Sequence, residues 1–305
     1  MRFCTYARHG EERAGLVLDG RVYGIGADVR LLDLLGDDGE RLGDACERAR
    51  RDPAEELAWD DVALRAPIPV PPSIRDFLAF ESHLRNARGD VDRDWYELPI
   101  FYFSNPQGVI GPHDDVAIAP GSVEWDYELE FAAVVGMAGS DLRPDEADRH
   151  IAGYTVMCDF SARDHQRREM RLGLGPAKGK DSATSLGPVL VTPDELAPYG
   201  SGQAFALDMA VEVNGTRTGG GSLADIYWSF GEMLAYASRG TTVVPGDVIG
   251  SGTVGTGCVL EHRRLGHDVP WLAPGDEVRL SIDHVGTLRH RIVAGRDPVP
   301  LRSGL

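Results

Sequence analysis

Apolar and polar positions alternate in short runs along most of the chain, and the first such runs lie near its start. FCTYA and GLVLDGRVYGIG have the alternation of two strands, with a tight turn at an Asp-Gly pair. A polar stretch over residues 30–56 favours a helix, and four prolines in PIPVPPS, residues 67–73, indicate a stiff linker. We therefore expect a small N-terminal α/β domain over residues 1–66 and a larger domain over residues 67–305.

The larger part of the chain mixes strand-like runs with a few separated helical stretches. Ser73 is placed to cap a helix over residues 74–88, and helical patterns also cover residues 144–149, 161–173 and 223–238. Apolar runs such as VEWDYELEFAAVVG and IAGYTVMCDF are typical of strands. Because strands and helices do not alternate regularly, the pattern predicts a β-rich α+β fold rather than a doubly wound α/β sheet.

Composition and charge narrow the range of functions. Hydrophobic residues make up 42% and charged residues 26% of the 305 residues, which is an ordinary globular mixture. The net charge of −17 opposes binding to nucleic acid or to an anionic membrane surface. No apolar run approaches the roughly 20 residues of a membrane-spanning helix, and the first residues lack a signal-peptide pattern, so we expect a cytoplasmic protein. The four cysteines are far apart in the sequence, which favours free buried thiols over disulfides or a zinc ribbon.

Acidic and apolar residues alternate in EWDYELE, residues 124–130. On a single strand, Glu124, Asp126, Glu128 and Glu130 share one face, because successive side chains point to opposite sides. Such carboxylates lie roughly 6.5–7 Å apart along the strand and can converge on one ion. A solvated sheet face is the alternative, but the run leads directly into the apolar AAVVG, where unpaired carboxylates repel one another. The pattern therefore favours a hard cation such as Mg²⁺, Mn²⁺ or Ca²⁺ over Zn²⁺.

Three further residues are candidates for the same chemistry. Asp159 ends the apolar run IAGYTVMC before a helical stretch, so it either binds a ligand or caps the helix. Asp76 and His83 are seven residues apart within the predicted helix, which places them on one helix face. A lone histidine is more often structural than catalytic, and both interpretations of His83 stay open at this point.

Lysine is rare in this chain. Only two of the 31 basic residues are lysines, Lys178 and Lys180, and both lie in GPAKGKD, residues 175–181. An ammonium group is a compact point charge that a guanidinium group cannot replace. We therefore expect at least one of these lysines to have a specific role. The glycines nearby do not have the spacing of a phosphate-binding loop.

Several of these motifs, in this order, resemble those of the fumarylacetoacetate hydrolase family. They are Asp76 to His83, Glu128-Leu-Glu130, Asp159-Phe-Ser-Ala-Arg-Asp-His-Gln166, the Lys180 loop and Gly252-Thr-Val-Gly-Thr-Gly-Cys-Val-Leu-Glu261. The similarity extends from about residue 70 to PGDEVRLSIDHVGTL at 274–288, which is most of the chain. The resemblance implies the mixed β-sandwich roll of that family, preceded by a small N-terminal domain as in bacterial members.

The resemblance also implies a role for each matching position. The positions that correspond to ligands of a divalent metal, Mg²⁺ or a similar ion, are Asp76, Glu128, Glu130 and Asp159. His83 corresponds to a general base, and Glu261 to the carboxylate that orients it. The positions that correspond to groups holding substrate oxygens, or to other substrate contacts, are Lys180, Arg163, Gln166, Tyr102 and Thr253. A homodimer with sites near its interface is also implied.

The chemistry implied by the resemblance is cleavage of a carbon–carbon bond in a β-diketo acid, such as an acylpyruvate or a fumarylacetoacetate-like compound. A divalent ion bound by the two carbonyl oxygens stabilises the resulting enolate, a histidine held by a carboxylate activates water, and Lys180 supplies a donor to the oxyanion. Leu78 and Met170 stand where aromatic substrate contacts are expected, which argues against fumarylacetoacetate itself. Two alternatives remain: decarboxylation or keto–enol tautomerisation of a 2-oxo acid, and a non-catalytic binding role.

Overall fold

The computed structural model describes residues 1–302, which contain twenty-three mostly short strands and seven α-helices. The strands in chain order are β1 (Arg2–Arg8), β2 (Glu11–Leu18), β3 (Arg21–Gly24), β4 (Glu56–Ala58), β5 (Ala63–Arg65), β6 (Ile74–Phe77), β7 (Phe101–Ser104), β8 (Val109–Ile110), β9 (Val116–Ala117), β10 (Trp125–Asp126), β11 (Leu129–Val135), β12 (Gly139–Ser140), β13 (Ile151–Asp159), β14 (Ser161–Ala162), β15 (Thr184–Val191), β16 (Gly200–Ser201), β17 (Ala204–Phe205), β18 (Asp208–Val213), β19 (Thr216–Ser222), β20 (Thr242–Val243), β21 (Val248–Gly250), β22 (Glu277–Ile282) and β23 (Gly286–Val293). The α-helices are α1 (Glu40–Arg51), α2 (Glu81–Arg88), α3 (Pro144–Ala147), α4 (Arg163–Arg171), α5 (Pro193–Leu196), α6 (Phe230–Ala237) and α7 (Val259–Arg264). Within the part of the chain so described, no helix is long and apolar enough to cross a membrane.

A twelve-stranded sheet forms the centre of the molecule. Its path is β4-β3-β2-β1-β15-β13-β11-β21-β6-β7, with β5 added beside β1 and β8 beside β15. Neighbours along the path are antiparallel except β21 and β6, which are parallel. The strands β11, β15 and β21 are buried throughout, so their sequences are continuous apolar runs with few polar interruptions. The one charged residue in these three strands, Glu130, belongs to the site described below.

The N-terminal strands belong to this same sheet. Arg2 of β1 lies opposite Val191, and Phe3 lies opposite Leu190 on β15. Phe3 also packs in one apolar cluster with Met157 of β13 and Val248 of β21. The strands on either side of residue 66 thus share a sheet and a core, and neither marks a boundary there. The domain division at that residue remains a prediction.

A second, five-stranded sheet covers one face of the first. Its order is β19-β18-β22-β23-β9. The core between the two sheets contains Phe131 and Val156 from the large sheet and Met209, Leu280 and Leu288 from the small one, all fully buried. The predicted β-rich α+β class is confirmed, with 34% of the chain in strands and 25% in helices.

The predicted helix over residues 74–88 is wrong in its first half. The segment begins with β6, which is buried along its whole length between β21 and β7, and α2 begins only at Glu81. Ser73 donates a hydrogen bond to a buried aspartate instead of capping a helix. The strand reads Ile-Arg-Asp-Phe, so burial of both faces leaves no alternation of apolar and polar residues, and the spacing of Ile74 and Phe77 is also that of a helix face. Asp76 therefore lies on a strand and His83 on the following helix, so the two do not share a helix face.

The other predicted helices are present but shorter than their patterns. The stretches over residues 144–149, 161–173 and 223–238 contain α3, α4 and α6, and residues 30–56 contain α1. Helix α6 begins at a reciprocal cap between Ser229 and Glu232. Residues 223–225 before it form a single 3-10 turn, so the apolar pattern continued beyond the helix itself.

Candidate active site

A cavity of about 320 Å³ opens at one end of the central strands, beside α2, α4 and α7. Nine of the eleven predicted site residues line it: Asp76, His83, Tyr102, Glu128, Glu130, Arg163, Gln166, Lys180 and Thr253. The remaining two, Asp159 and Glu261, are completely buried and contact lining residues from behind. The structure therefore brings together residues that are up to 185 positions apart in the sequence, counted from Asp76 to Glu261.

Neighbouring strands supply the carboxylates. Asp76 on β6 lies opposite Gly250 of β21, and β11, which carries Glu130, is the next strand of the sheet. A side chain at Gly250 would begin 3.0 Å from Asp76 Oδ1 and 3.1 Å from Glu130 Oε2. The glycine therefore leaves the space that these two carboxylates occupy. Asp159 ends β13, which pairs with β11 on its other side.

The predicted single acidic face over residues 124–130 is wrong. The chain forms two strands here, β10 and β11, in different sheets, with a break between them. Glu124 lies near the surface and forms two parallel hydrogen bonds with Arg167, at 2.5 and 2.7 Å. Asp126 is buried and accepts hydrogen bonds from Arg163 and from two backbone N–H groups at the start of α7. These tertiary partners of Glu124 and Asp126 outweigh the alternating pattern, so the segment is divided between two strands. Only Glu128 and Glu130 therefore reach the cavity.

Two buried cations flank Glu128. Arg163 Nη2 donates to Glu128 Oε1 at 2.6 Å, and Lys180 Nζ contacts the other oxygen. Lys180 Nζ also lies 2.9 Å from Asp159 Oδ2. Burial alone would raise the pKa of Glu128, but the charges of Arg163 and Lys180 outweigh burial and hold that pKa far below its ordinary value. Glu128 is therefore ionised in the resting site.

The two lysines have different environments. Lys180 is 4% exposed, and although burial opposes its charge, Asp159 and Glu128 raise its pKa above the ordinary lysine value. Lys178 is exposed and pairs with Asp181 beside it in the sequence. The expected specific role therefore falls on Lys180.

Burial and mutual repulsion oppose the ionisation of the other carboxylates. Burial, followed by the charge of Asp159, raises the pKa of Asp76 to about 8. Burial and the charge of Asp76 raise the pKa of Glu130 well above its ordinary value. The Tyr102 hydroxyl contacts both Asp76 Oδ2, at 2.5 Å, and Asp159 Oδ2. The phenol has one proton and can donate to only one of the two carboxyl oxygens. The other contact therefore needs a proton on that carboxyl group or a cation nearby.

The donor set fits a hard divalent cation. Asp76 Oδ1 and Asp159 Oδ1 are buried and have no hydrogen-bond partner within residues 1–302. Oxygen-only donors are the ligands that Mg²⁺, Mn²⁺ and Ca²⁺ prefer, and a cation would relieve the repulsion between these carboxylates. Over the same residues, no three of the four carboxylates bring oxygens within 4.8 Å of one another, and Lys180 and Tyr102 lie between them. The carboxylates would therefore have to close in around an ion.

His83 and Glu261 meet where α2 packs against α7. His83 Nδ1 lies 3.1 Å from Glu261 Oε2, although the angle is outside hydrogen-bond geometry. Glu261 Oε1 accepts hydrogen bonds from Asn86 Nδ2 at 3.0 Å and from the Thr256 backbone N–H at 2.9 Å. Catalytic hydrogen bonds are often poorly aligned before substrate binds. These hydrogen bonds hold Glu261 in place. Because the glutamate faces Nδ1, the second ring nitrogen of His83, Nε2, is available to another group.

The structure also adds residues that the sequence did not indicate. Arg88 at the end of α2 and Arg264 at the end of α7 are exposed and line the outer part of the cavity. Asn86 supports Glu261, as described, and Cys258 donates its thiol hydrogen bond to Glu261 Oε2 at 3.4 Å. One signal was present, because Asn86 follows His83 by one helical turn. The sequence gave no signal for the two arginines, because arginine is so common in this chain.

The family assignment follows from comparison with known proteins. Residues 73–293 match the model of the fumarylacetoacetate (FAA) hydrolase C-terminal family. The chain belongs to this family. The matched range contains every residue of the site described above, and the resemblance noted from the sequence is confirmed.

Relatives in the family carry out more than one reaction. The chain is 28% identical to a 2,4-didehydro-3-deoxy-L-rhamnonate hydrolase from Sphingomonas sp. (strain SKA58) over 296 residues, which is 96% of each chain. It is 30% identical to the oxaloacetate tautomerase YisK from Bacillus subtilis (strain 168) over 239 residues, 76% of this chain and 73% of that one. The family therefore includes hydrolases and tautomerases.

A solved structure confirms the fold. Fumarylacetoacetate hydrolase from the psychrophilic Exiguobacterium antarcticum superposes with a TM-score of 0.77 at 27% identity, covering 96% of this chain and 99% of that one. The predicted mixed β-sandwich roll of the family is thus confirmed for this chain.

Proposed function

We propose that this protein is a metal-dependent hydrolase that cleaves a carbon–carbon bond in a β-diketo acid. The observation that carries the proposal is the His83–Glu261 pair, which adjoins a carboxylate-lined cavity. Hydrolysis needs a base that takes a proton from water, and it needs a nearby divalent ion that would withdraw electrons from the substrate. The pair and the four carboxylates Asp76, Glu128, Glu130 and Asp159 supply the residues for both.

His83 is the proposed base. Its Nδ1 faces Glu261, so Nε2 is the nitrogen that accepts the proton of water. Glu261 holds the ring and stabilises its charged form, while Asn86 and the Thr256 backbone keep the glutamate in place. The protonated ring then returns its proton to the carbon atom that leaves as an enolate.

The four carboxylates would hold Mg²⁺, Mn²⁺ or Ca²⁺, and such an ion would stabilise negative charge developing on the substrate oxygens. Lys180 has three N–H donors, of which Glu128 and Asp159 engage two, so one remains for an oxyanion. Arg163 has five N–H donors, of which Asp126, Glu128 and Gln166 engage three. Its proposed contact to a substrate oxygen therefore uses the remaining two, and Gln166, Tyr102 and Thr253 complete the proposed substrate contacts.

The charge along the cavity indicates a second acidic group on the substrate. The buried part of the lining holds the carboxylates, and the exposed, outer part includes Arg88 and Arg264. Within residues 1–302, neither arginine side chain has a hydrogen bond or ion pair, and a guanidinium fork suits a carboxylate. We therefore expect the substrate to be a diacid whose far carboxylate lies at this outer end.

Replacing both outer arginines by alanine tests this expectation. The double variant Arg88→Ala, Arg264→Ala should raise KM for a diacid about fivefold, since an exposed ion pair contributes up to about 1 kcal/mol. The matched control is Arg263→Ala, because Arg263 bonds to the Val269 carbonyl and does not line the cavity. If the double variant and the native protein had equal KM values, for a diacid as well as for a monoacid, the two arginines would have no role in recognition.

Tautomerisation of a 2-oxo acid is the second candidate. It needs a base and a stabilised enolate but no attacking water, and Lys180 and His83 are both placed to carry a proton. The 30% identity to an oxaloacetate tautomerase also favours it. Decarboxylation and a purely binding role have no comparable support in the site. The proposed homodimer rests on the resemblance alone.

Product identification distinguishes these reactions. The protein with Mg²⁺ or Mn²⁺ would be incubated separately with an acylpyruvate, fumarylacetoacetate and enol-oxaloacetate. We expect two carboxylic acid products in equal amounts from a diketo acid. Rapid enol-to-keto conversion of oxaloacetate with no cleavage of any diketo acid would instead favour the tautomerase. Carbon dioxide release would indicate decarboxylation.

A further inference from the structure

Three potential metal ligands of different chemistry meet beside the cavity, where the buried Nδ1 of His83 faces Glu261 and Cys258. His83 Nδ1, Cys258 Sγ and a carboxylate oxygen of Glu261 all lie within 4.8 Å of one another. All three side chains are buried, with His83 at 7% exposure and the other two at 0%. Nitrogen, sulfur and oxygen donors together are typical of Zn²⁺ sites and are unlike the oxygen-only set on the other side of His83.

The distances suit a tetrahedral ion. His83 Nδ1 lies 3.1 Å from Glu261 Oε2, and Cys258 Sγ lies 3.4 Å from the same oxygen. Zn²⁺ binds nitrogen and oxygen at about 2.0–2.1 Å and sulfur at about 2.3 Å, so tetrahedral ligands lie about 3.3–3.6 Å apart. Two edges of the site therefore already have nearly the required length.

The ligand atoms also have the necessary freedom. His83 Nδ1 is buried and has no hydrogen-bond partner in the described chain. Asn86 and the Thr256 backbone N–H both bind Glu261 Oε1, which leaves Oε2 directed at His83 and Cys258. The glutamate is thus held by one oxygen while the other remains available to an ion, as is usual for carboxylate ligands with supporting hydrogen bonds.

We propose that His83, Cys258 and Glu261 form a second metal site that binds Zn²⁺, separate from the carboxylate site for the hard divalent ion. On binding, the Cys258 thiol releases its proton to solvent, and the thiolate, the imidazole Nδ1 and the carboxylate become ligands. Water takes the fourth position. Mg²⁺ and Ca²⁺ do not compete effectively, because they avoid sulfur ligands.

Occupancy of this site has a consequence that rests on the proposed function. Zn²⁺ at Nδ1 takes the place of Glu261 as the neighbour of the ring and withdraws electron density from it. His83 then no longer serves as a base, so Zn²⁺ inhibits the enzyme even when the carboxylate site is saturated with Mg²⁺. Because His83 Nδ1 and the side chains of Cys258 and Glu261 are buried, the inhibition develops with time and a chelator reverses it.

Cobalt(II) reports on the site without relying on activity. The full-length protein, first saturated with Mg²⁺, would be titrated with Co²⁺, which gives a thiolate charge-transfer absorption in the near ultraviolet when sulfur is a ligand. We expect one equivalent of this absorption, displaced by Zn²⁺ and absent from both Cys258→Ser and Cys258→Ala. The matched control is Cys46→Ser, since Cys46 is also buried but lies on α1 in the N-terminal part of the chain. Thermal unfolding of each variant identifies any that fails to fold.

Zinc inhibition provides the second measurement. With each variant compared with its own zinc-free rate, Cys258→Ser should need at least about tenfold more Zn²⁺ for half inhibition, as expected for loss of a ligand. A thiolate absorption that persists in both folded Cys258 variants, or that is missing from the native protein, overturns the site. Absorption that behaves as predicted in a protein with no hydrolytic activity keeps the zinc site and rejects the proposed function.

Discussion

Replacing His83 by alanine should lower the hydrolytic turnover of a diketo acid by about 10²–10⁴-fold, the usual loss when a general base is removed. The water molecule would then lack the only proposed acceptor for its proton. Metal affinity should change little, because His83 is not one of the four proposed carboxylate ligands. Turnover is measured by product formation, and metal affinity by calorimetric titration with Mg²⁺ or Mn²⁺.

Two companion variants make this test specific. Glu261→Gln should also reduce turnover, but less steeply, because the residue orients the base and does not accept the proton. His284→Asn is the matched control, since His284 is an exposed turn residue that stacks on Tyr199, and asparagine tolerates its positive φ of 60°. A His83→Ala enzyme that cleaves the substrate at a nearly native rate would remove the base from the proposed mechanism. Loss of the metal from that variant would make His83 a ligand instead.

Replacing Glu130 by glutamine should weaken binding of Mg²⁺ or Mn²⁺ by at least about 100-fold. Changes to residues that merely support a ligand cost 10–100-fold in affinity, and a direct ligand contributes more. The amide keeps the size of the side chain and matches the neutral form that burial favours, so the metal-free protein should stay folded. Calorimetric titration gives the affinity, and thermal unfolding of the metal-free protein gives the stability.

Glu124→Gln is the control for this prediction. Glu124 belongs to the same alternating sequence, but it pairs with Arg167 near the surface and does not line the cavity. Its replacement should leave metal affinity within about twofold of the native value, because an exposed pair contributes little. If both glutamine variants bind the ion as the native protein does, the carboxylates of the cavity are not its ligands.

Local pattern was sufficient for elements that follow one period. The run IAGYTVMCDF predicted a strand that the structure places at β13, and the polar stretch from residue 161 predicted α4. The pattern failed at β6, where burial on both faces removes the alternation that distinguishes a strand. It failed again at residues 126–128, where the chain turns from one sheet to another.

The site could be predicted only as far as its residues carry the family resemblance. The partners of each residue depend on contacts between distant segments, such as Arg163 with Asp126 and Lys180 with Asp159. No spacing in the sequence specifies those pairs. The same limit applies to Asn86 and Cys258, because their hydrogen bonds to Glu261 depend on the packing of α2 against α7.

The position of β1 within the large sheet has a consequence for synthesis on the ribosome. The inner part of β1 is completed by β5, at residues 63–65, soon after it is made, but Arg2 and Phe3 pair with residues 190 and 191. At 5–20 residues per second, roughly 10–40 s pass before that second partner exists. During this interval Arg2 and Phe3 present an open strand edge that includes an apolar side chain. A chaperone that covers such an edge on the ribosome should therefore raise the yield of folded protein most when translation is slow.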